Sequence, residues 1–168
     1  MKKIISLTLF LALASALAGA VLAGVNSITA PIIEEQKIAA VKASLKEIFP
    51  NATEFKEVAK FTDSTGLVNK VYQATDNGYA MTVTVQGYKD VITFLVGFDL
   101  NDKIVGFNVT SINDTPGLGM KVGEEAFANS LIGKNVTDTL DTISGATISS
   151  SAAIKGIDAA IAVYQSLK

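Results

Sequence analysis

The chain has 168 residues and a formal net charge of −2, enough for one domain of ordinary size and an appendage. Its lysines are scattered with no basic run to hold a polyphosphate backbone, which argues against nucleic acid as a partner. It has no histidine, cysteine, tryptophan or arginine, which excludes a thiolate nucleophile, a Ser-His dyad, a haem axial histidine and any cysteine-held iron–sulfur or zinc centre; redox work would need an organic cofactor.

Residues 4–25 are apolar or small and uncharged, a run of about 22 residues that spans a hydrocarbon core of roughly 30 Å as a helix. Lys2 and Lys3 stand before it, and the positive-inside rule then puts the amino terminus in the cytoplasm and the remainder outside. A cleaved secretory signal is the competing reading, because Ala16-Leu17-Ala18 looks like a cleavage site. The run continues through Val21, Leu22 and Val25, longer than the roughly 7–15 residues of a signal core, which favours a retained span. Ala12, Ser15 (or Ala16), Gly19 and Ala23 are spaced to let another helix approach in lipid, a pattern that alanine-rich segments also give by chance. The expected organisation is a cytoplasmic stub and transmembrane helix over residues 1–28 and an extracytoplasmic domain over 29–168.

Thr29 and Pro31 suit a second helix start, and Ile38, Val41, Leu45 and Ile48 recur at helical spacing until Pro50-Asn51, predicting a helix over 31–49. From 54 to 110 the period changes to two: Phe55, Val71, Tyr79, Met81, Val83, Val85, Phe94, Val96 and Phe98 alternate with polar residues. Turn signals at Asp63-Ser64-Thr65-Gly66, Asp76-Asn77-Gly78, Gln86-Gly87-Tyr88 and Asn101-Asp102 divide this region into four or more antiparallel strands. A short helix over 122–131 and a longer one over 147–167, with Ile154, Ile157, Ile161 and Tyr164 on one face, complete an α+β body: a single amino-terminal transmembrane helix followed by one domain with an antiparallel sheet and flanking helices.

Two stretches carry candidate chemistry. Asp141-Thr142-Ile143-Ser144-Gly145-Ala146-Thr147 precedes the last helix, where a glycine with small neighbours and hydroxyls makes a ready phosphate site from exposed amides and the helix dipole. The bland alternative is capping alone, which Ser149-Ser150-Ser151 would also serve. Asp114-Thr115-Pro116-Gly117-Leu118-Gly119 has Pro and Gly placed for a tight exposed turn.

The first stretch resembles the flavinylation sequence of the C subunit of sodium-pumping NADH:quinone reductase and the G subunit of Rnf-type ferredoxin:NAD oxidoreductase, in which a flavin transferase joins the phosphate of FMN to the final threonine. The resemblance implies Thr147 as the covalent acceptor, with Asp141, Ser144, Gly145 and Ala146 as recognition and phosphate-binding positions. The second is similar to that family's Glu-Thr-Pro-Gly-Leu-Gly signature, with Asp114 in place of the glutamate, and implies isoalloxazine contacts from Thr115, Pro116, Gly117, Leu118, Gly119 and Met120, including amides of residues 117–120 that would stabilise reduced flavin. Gly87-Tyr88, residues 91–99 and residues 103–106 look like the family's core strands. The short chain favours the Rnf G subunit over the Nqr C subunit. The function so implied is electron carriage through covalent FMN at the cell (inner) membrane, with partner membrane subunits of an ion-translocating complex, a flavin transferase for maturation and membrane lipid, and with no catalysis by this subunit alone. A stand-alone extracytoplasmic flavin reductase and a non-enzymatic assembly module are the rival readings.

Overall fold

A computed structural model of the chain describes residues 2–75 and 77–168. It divides into two compact units, Met1–Ala40 and Val41–Lys168.

The described residues of the first unit lie within α1 (Lys2–Ile48), a single helix of 47 residues, where the sequence predicts two helices parted near Pro31. Pro31 removes one backbone donor and crowds the preceding turn, but the turns on both sides remain bonded and the helix passes through it. Hydroxyls around it bond to their own backbone: Ser27 Oγ donates to the Gly24 carbonyl (2.8 Å) and Thr29 Oγ1 to the Val25 carbonyl (3.0 Å). Such bonding needs no water, which suits a helix in lipid. Ile4, Leu9, Phe10, Leu13, Leu17 and Leu22 are all exposed around its circumference, the pattern of a helix whose solvent is itself apolar.

The second unit is built on a five-stranded antiparallel meander, β1 (Phe55–Glu57), β2 (Val68–Ala74), β3 (Gly78–Gln86), β4 (Val91–Asp99) and β5 (Ile104–Ile112), paired in chain order. Of the predicted turns, Asp76 lies outside the described residues. The register sets Met81 opposite Val96 and Val83 opposite Phe94, so the period-two residues other than Phe55, which packs in the cluster on the opposite face, gather on one face. There they form the main core with Ile92, Phe98, Ile104 and Phe107. The other face is small at its centre: Gly97 pairs with Gly106, and Ile48 from the end of α1 lies over both. A Cβ on Gly106 would come within 2.5 Å of Ile48 Cγ1, so this close approach requires glycine.

α3 (Thr147–Leu167) covers the main face over the predicted range. Ile157 and Tyr164 are fully buried, but Ile154 and Ile161 are only partly so, and the contact line runs through Ala153, Gly156, Ala160 and Val163. Small residues let the helix axis approach the sheet, and Gly156 sits where a Cβ would meet Val85 Cγ1 at 2.6 Å. The helix predicted over 122–131 is two pieces, a 3-10 turn (Gly119–Gly123) and α2 (Glu125–Leu131), parted by the extended backbone of Glu124.

Candidate functional site

The loop after β5 begins with Asp114 and turns at once. Leu118 N–H and Met120 N–H both donate to the Thr115 carbonyl (3.2 Å each), and Gly117 takes φ +72°, the left-handed conformation that the third position of a Pro-Gly turn demands. Two of the four amides expected to face a ligand, those of Leu118 and Met120, are therefore used inside the turn.

The segment before α3 makes a comparable reversal. Ala146 N–H donates to the Ile143 carbonyl (3.0 Å), and Gly145 has φ +78°. Thr147 opens the helix with Ala146 as its N-cap, and no side chain caps that end. Two of the three serines predicted as caps, Ser149 and Ser150, are engaged elsewhere. Ser150 Oγ accepts from Ile143 N–H (3.0 Å) and donates to the Ala146 carbonyl (2.9 Å), while Ser149 Oγ donates to Asp114 Oδ2 (2.6 Å). The first amides of α3 thus keep the anion-attracting character of an open helix end.

These two segments meet. A Cβ built on Gly145 would lie 3.8 Å from Leu118 Cδ2, and between the segments is an open cleft of about 280 Å³. Six of the residues singled out in the sequence line it: Thr115, Leu118, Gly119, Gly145, Ala146 and Thr147. The other five do not. Ser144, Pro116, Gly117 and Met120 are exposed outside its lining, and Asp141 is turned away, 89% exposed at its side chain and 3.5 Å from Lys134 Nζ. Three lining residues escape sequence reasoning as site residues: Tyr88, Ile148 and Ser149. Tyr88 reaches the cleft from the β3–β4 turn, which only the antiparallel register brings near α3.

Beneath the cleft is Asp114, 2% exposed, the residue that departs from the family signature. Its carboxylate accepts from Tyr88 N–H (3.0 Å), Lys89 N–H (3.3 Å), Thr115 N–H (2.7 Å) and Ser149 Oγ–H (2.6 Å). Burial pushes this carboxyl up, but the bonds from Ser149 and the three amides outweigh it and hold it below the usual aspartate value.

Residues 87–162 match the FMN-binding domain family, and residues 1–48 match the RnfG N-terminal region. The chain is 30% identical to the G subunit of the Na(+)-translocating ferredoxin:NAD(+) oxidoreductase complex of Acetobacterium woodii, over 99% of this chain and 94% of that protein. It is 29% identical to the G subunit of the ion-translocating oxidoreductase complex of Methanosarcina acetivorans, over 95% and 94%. To the G subunit of the proton-translocating ferredoxin:NAD(+) oxidoreductase complex of Clostridium ljungdahlii it is 24% identical, over 94% and 90%.

The cleft suits a flavin nucleotide on its own chemistry. An uncapped helix end with a left-handed glycine before it fits a phosphate, an exposed hydroxyl at Thr147 fits a phosphoester, and exposed Tyr88, Leu118 and Ile148 give an aromatic ring apolar contact.

Proposed function

We propose that this chain, which belongs to the family of G subunits of ion-translocating oxidoreductase complexes, carries its FMN as a phosphoester on Thr147. It is a membrane-anchored electron-carrier subunit with an FMN-binding domain. When bound, the flavin supplies one- and two-electron transfer, and the protein supplies placement and electrostatics.

The observation that carries the reading is the position of Thr147. The hydroxyl that closes the flavinylation motif stands at the mouth of the same cleft that the Thr115 to Gly119 turn lines, at a helix end with no cap of its own. Gly145 and Ala146 would face the phosphate, and Thr115, Leu118 and Gly119 would flank the ring, with Pro116, Gly117 and Met120 in the same turn but outside the cleft lining. Asp141 and Ser144 lie on the surface, which suits recognition by a flavin transferase better than contact with the cofactor.

Lys2 and Lys3 before the apolar run support an extracytoplasmic side for the folded domain, where a covalent bond would keep the cofactor from being lost. Lipid would surround residues 4–25 of α1, and the partners would be the membrane subunits of a complex like those for which the relatives are named.

Intact mass tests the acceptor. Protein produced with a flavin transferase should gain one FMN less one water, Thr147→Ser should retain part of that gain, and Thr147→Val should lose it. Full flavin mass on Thr147→Val would overturn the assignment.

A further inference from the structure

Asp114 is the point at which three separate pieces of chain are tied together. The β3–β4 turn contributes the amides of Tyr88 and Lys89, the cleft loop contributes the amide of Thr115, and α3 contributes the hydroxyl of Ser149 from its first turn. Four donors, one of them at 2.6 Å, converge on one buried carboxylate. Two glycines make room for it. A Cβ on Gly87 would stand 2.6 Å from Asp114 Oδ2, and one on Gly119 would stand 2.6 Å from both oxygens. Neither glycine has a positive φ, so what requires glycine is close approach and not backbone conformation: that of the carboxylate alone at Gly119, and of the carboxylate with the Asp90 carbonyl oxygen and Ile92 Cδ1 (2.9 Å each) at Gly87.

Each tied piece carries a wall of the cleft. Tyr88 comes from the first, Thr115, Leu118 and Gly119 from the second, and Thr147 and Ile148 from the third. Ser149 lies two residues beyond Thr147, and its hydroxyl is directed inward to the carboxylate while Thr147 remains exposed. Hydrogen bonds to a charged group are about twice as strong as neutral ones, so the carboxylate is the stiffest link available between these walls.

We propose that Asp114 is a positioning residue of the flavin site, which acts through Ser149 and the Tyr88, Lys89 and Thr115 amides to fix the first turn of α3 against the cleft loop before the cofactor arrives. The proposal rests on the reading of this cleft as the flavin site, and it holds whichever hydroxyl receives the phosphate.

The test uses the full chain with Asp114→Asn, Ser149→Ala and the double variant, each with and without flavin. In the flavin-free protein the probes are the amides of Met120 and Ser150, which are bonded to the Thr115 and Ala146 carbonyls. Hydrogen exchange at both should quicken roughly tenfold or more in Asp114→Asn and by less in Ser149→Ala, while amides in the middle of α3 keep their protection. The double variant should exchange no faster than Asp114→Asn alone, because Ser149 acts through the carboxylate. In the loaded proteins, compared at equal flavin mass, both single variants should shift the flavin visible spectrum and midpoint potential, which a loss of overall stability would not do in folded protein. Additive effects of the two substitutions, or an unchanged spectrum and potential at equal loading, would overturn the proposal. If Asp114→Asn fails to accumulate folded, Ser149→Ala decides by the same two readouts. Flavin mass on Thr147→Val reports separately on the acceptor, so failure there leaves the exchange result standing.

Discussion

α1 and α3 are almost equally apolar on average, yet they face opposite surroundings. Ile4, Leu13, Leu17 and Val21 are among many large apolar residues of α1 left exposed, whereas α3 buries Ala153, Gly156, Ile157, Ala160, Val163 and Tyr164 along one side. The difference lies in distribution: α1 is apolar all round over residues 4–25, and α3 sets Lys155, Asp158 and Gln165 against its buried stripe. The first pattern suits lipid and the second a half-buried packing surface, so the arrangement of apolar residues, more than their number, decides which solvent a helix leaves water for.

The largest effect that would break this contrast is a charge in the wrong solvent. Leu13→Lys combined with Leu17→Lys should cost about 2.5–3.5 kcal/mol for each lysine near the bilayer centre, enough to shift the protein from the membrane fraction toward the soluble one. The thermal melt of the folded domain, whose compact unit begins at Val41, should stay where it is. A protein that remains fully membrane-bound would show that α1 is held by something besides its own apolarity.

Deletion of side-chain volume separates the helices next. Ile157 is fully buried, so Ile157→Ala should lower stability by about 2–5 kcal/mol in urea titration of the detergent-solubilised protein. Leu13→Ala removes a similar side chain from a residue 61% exposed and should leave the urea midpoint unchanged. Equal losses would mean that both helices answer to one core.

Much of this contrast is legible in the residues. The uncharged run, the period-two strands and the range of α3 all rest on local patterns, and local patterns survive folding. What is hidden depends on partners far apart in sequence. Pro31 reads as a boundary because nothing local says that the helix resumes beyond it, and Ile154 and Ile161 read as core because periodicity measures apolarity and not how closely a sheet approaches. Asp114 stands out in the sequence only as a departure from a signature. Its distant donors lie 26, 25 and 35 residues away, and no spacing in the chain announces that Tyr88, Lys89 and Ser149 converge on it. Asp141 shows the reverse: it belongs to the motif in sequence but stands outside the cleft in space.

A smaller effect tests the close approach of α3. In Gly156→Ala the new Cβ would meet Val85 Cγ1 at 2.6 Å and Val83 Cγ1 at 2.9 Å, and both side chains are stiff at χ1. Overpacking costs about 1–3 kcal/mol, offset by roughly 1 kcal/mol of helix propensity, so a net loss of up to about 2 kcal/mol is expected in the same urea titration. Gly19→Ala in α1 has nothing within 4 Å of the new methyl and should leave the midpoint unmoved. A stabilised Gly156→Ala would show that the sheet yields more readily than its packing suggests.

The subtlest separation is by pH, because residues 4–25 contain no titratable side chain and α3 is tied to one through Ser149. Burial raises the Asp114 carboxyl, the Ser149, Thr115, Tyr88 and Lys89 bonds lower it further, and its folded value ends below the ordinary 3.8. A carboxyl lowered on folding stabilises the native state above its unfolded value, and that contribution is lost as pH falls from there through the folded value. Asp63 acts in the same sense: burial raises it, and bonds from the Thr65 hydroxyl and the Val68, Thr65 and Leu67 amides lower it more. Asp158, on the exposed side of α3, acts weakly against them, since partial desolvation raises its value and its ionised form is slightly disfavoured in the fold until acid protonates it. Urea midpoints taken from pH 6 down to pH 3 should therefore fall in the parent protein, fall less in Asp114→Asn, and fall more steeply in Asp158→Asn, which removes the opposing group. Membrane retention over the same range should be flat, with nothing in the span to titrate. An acid slope in Asp114→Asn equal to that of the parent would mean that the carboxylate beneath the cleft does not help to hold α3 in place, and would leave Asp63 and Asp102, the latter lowered by its bonds from Lys168 and Tyr164, as sources of the acid sensitivity.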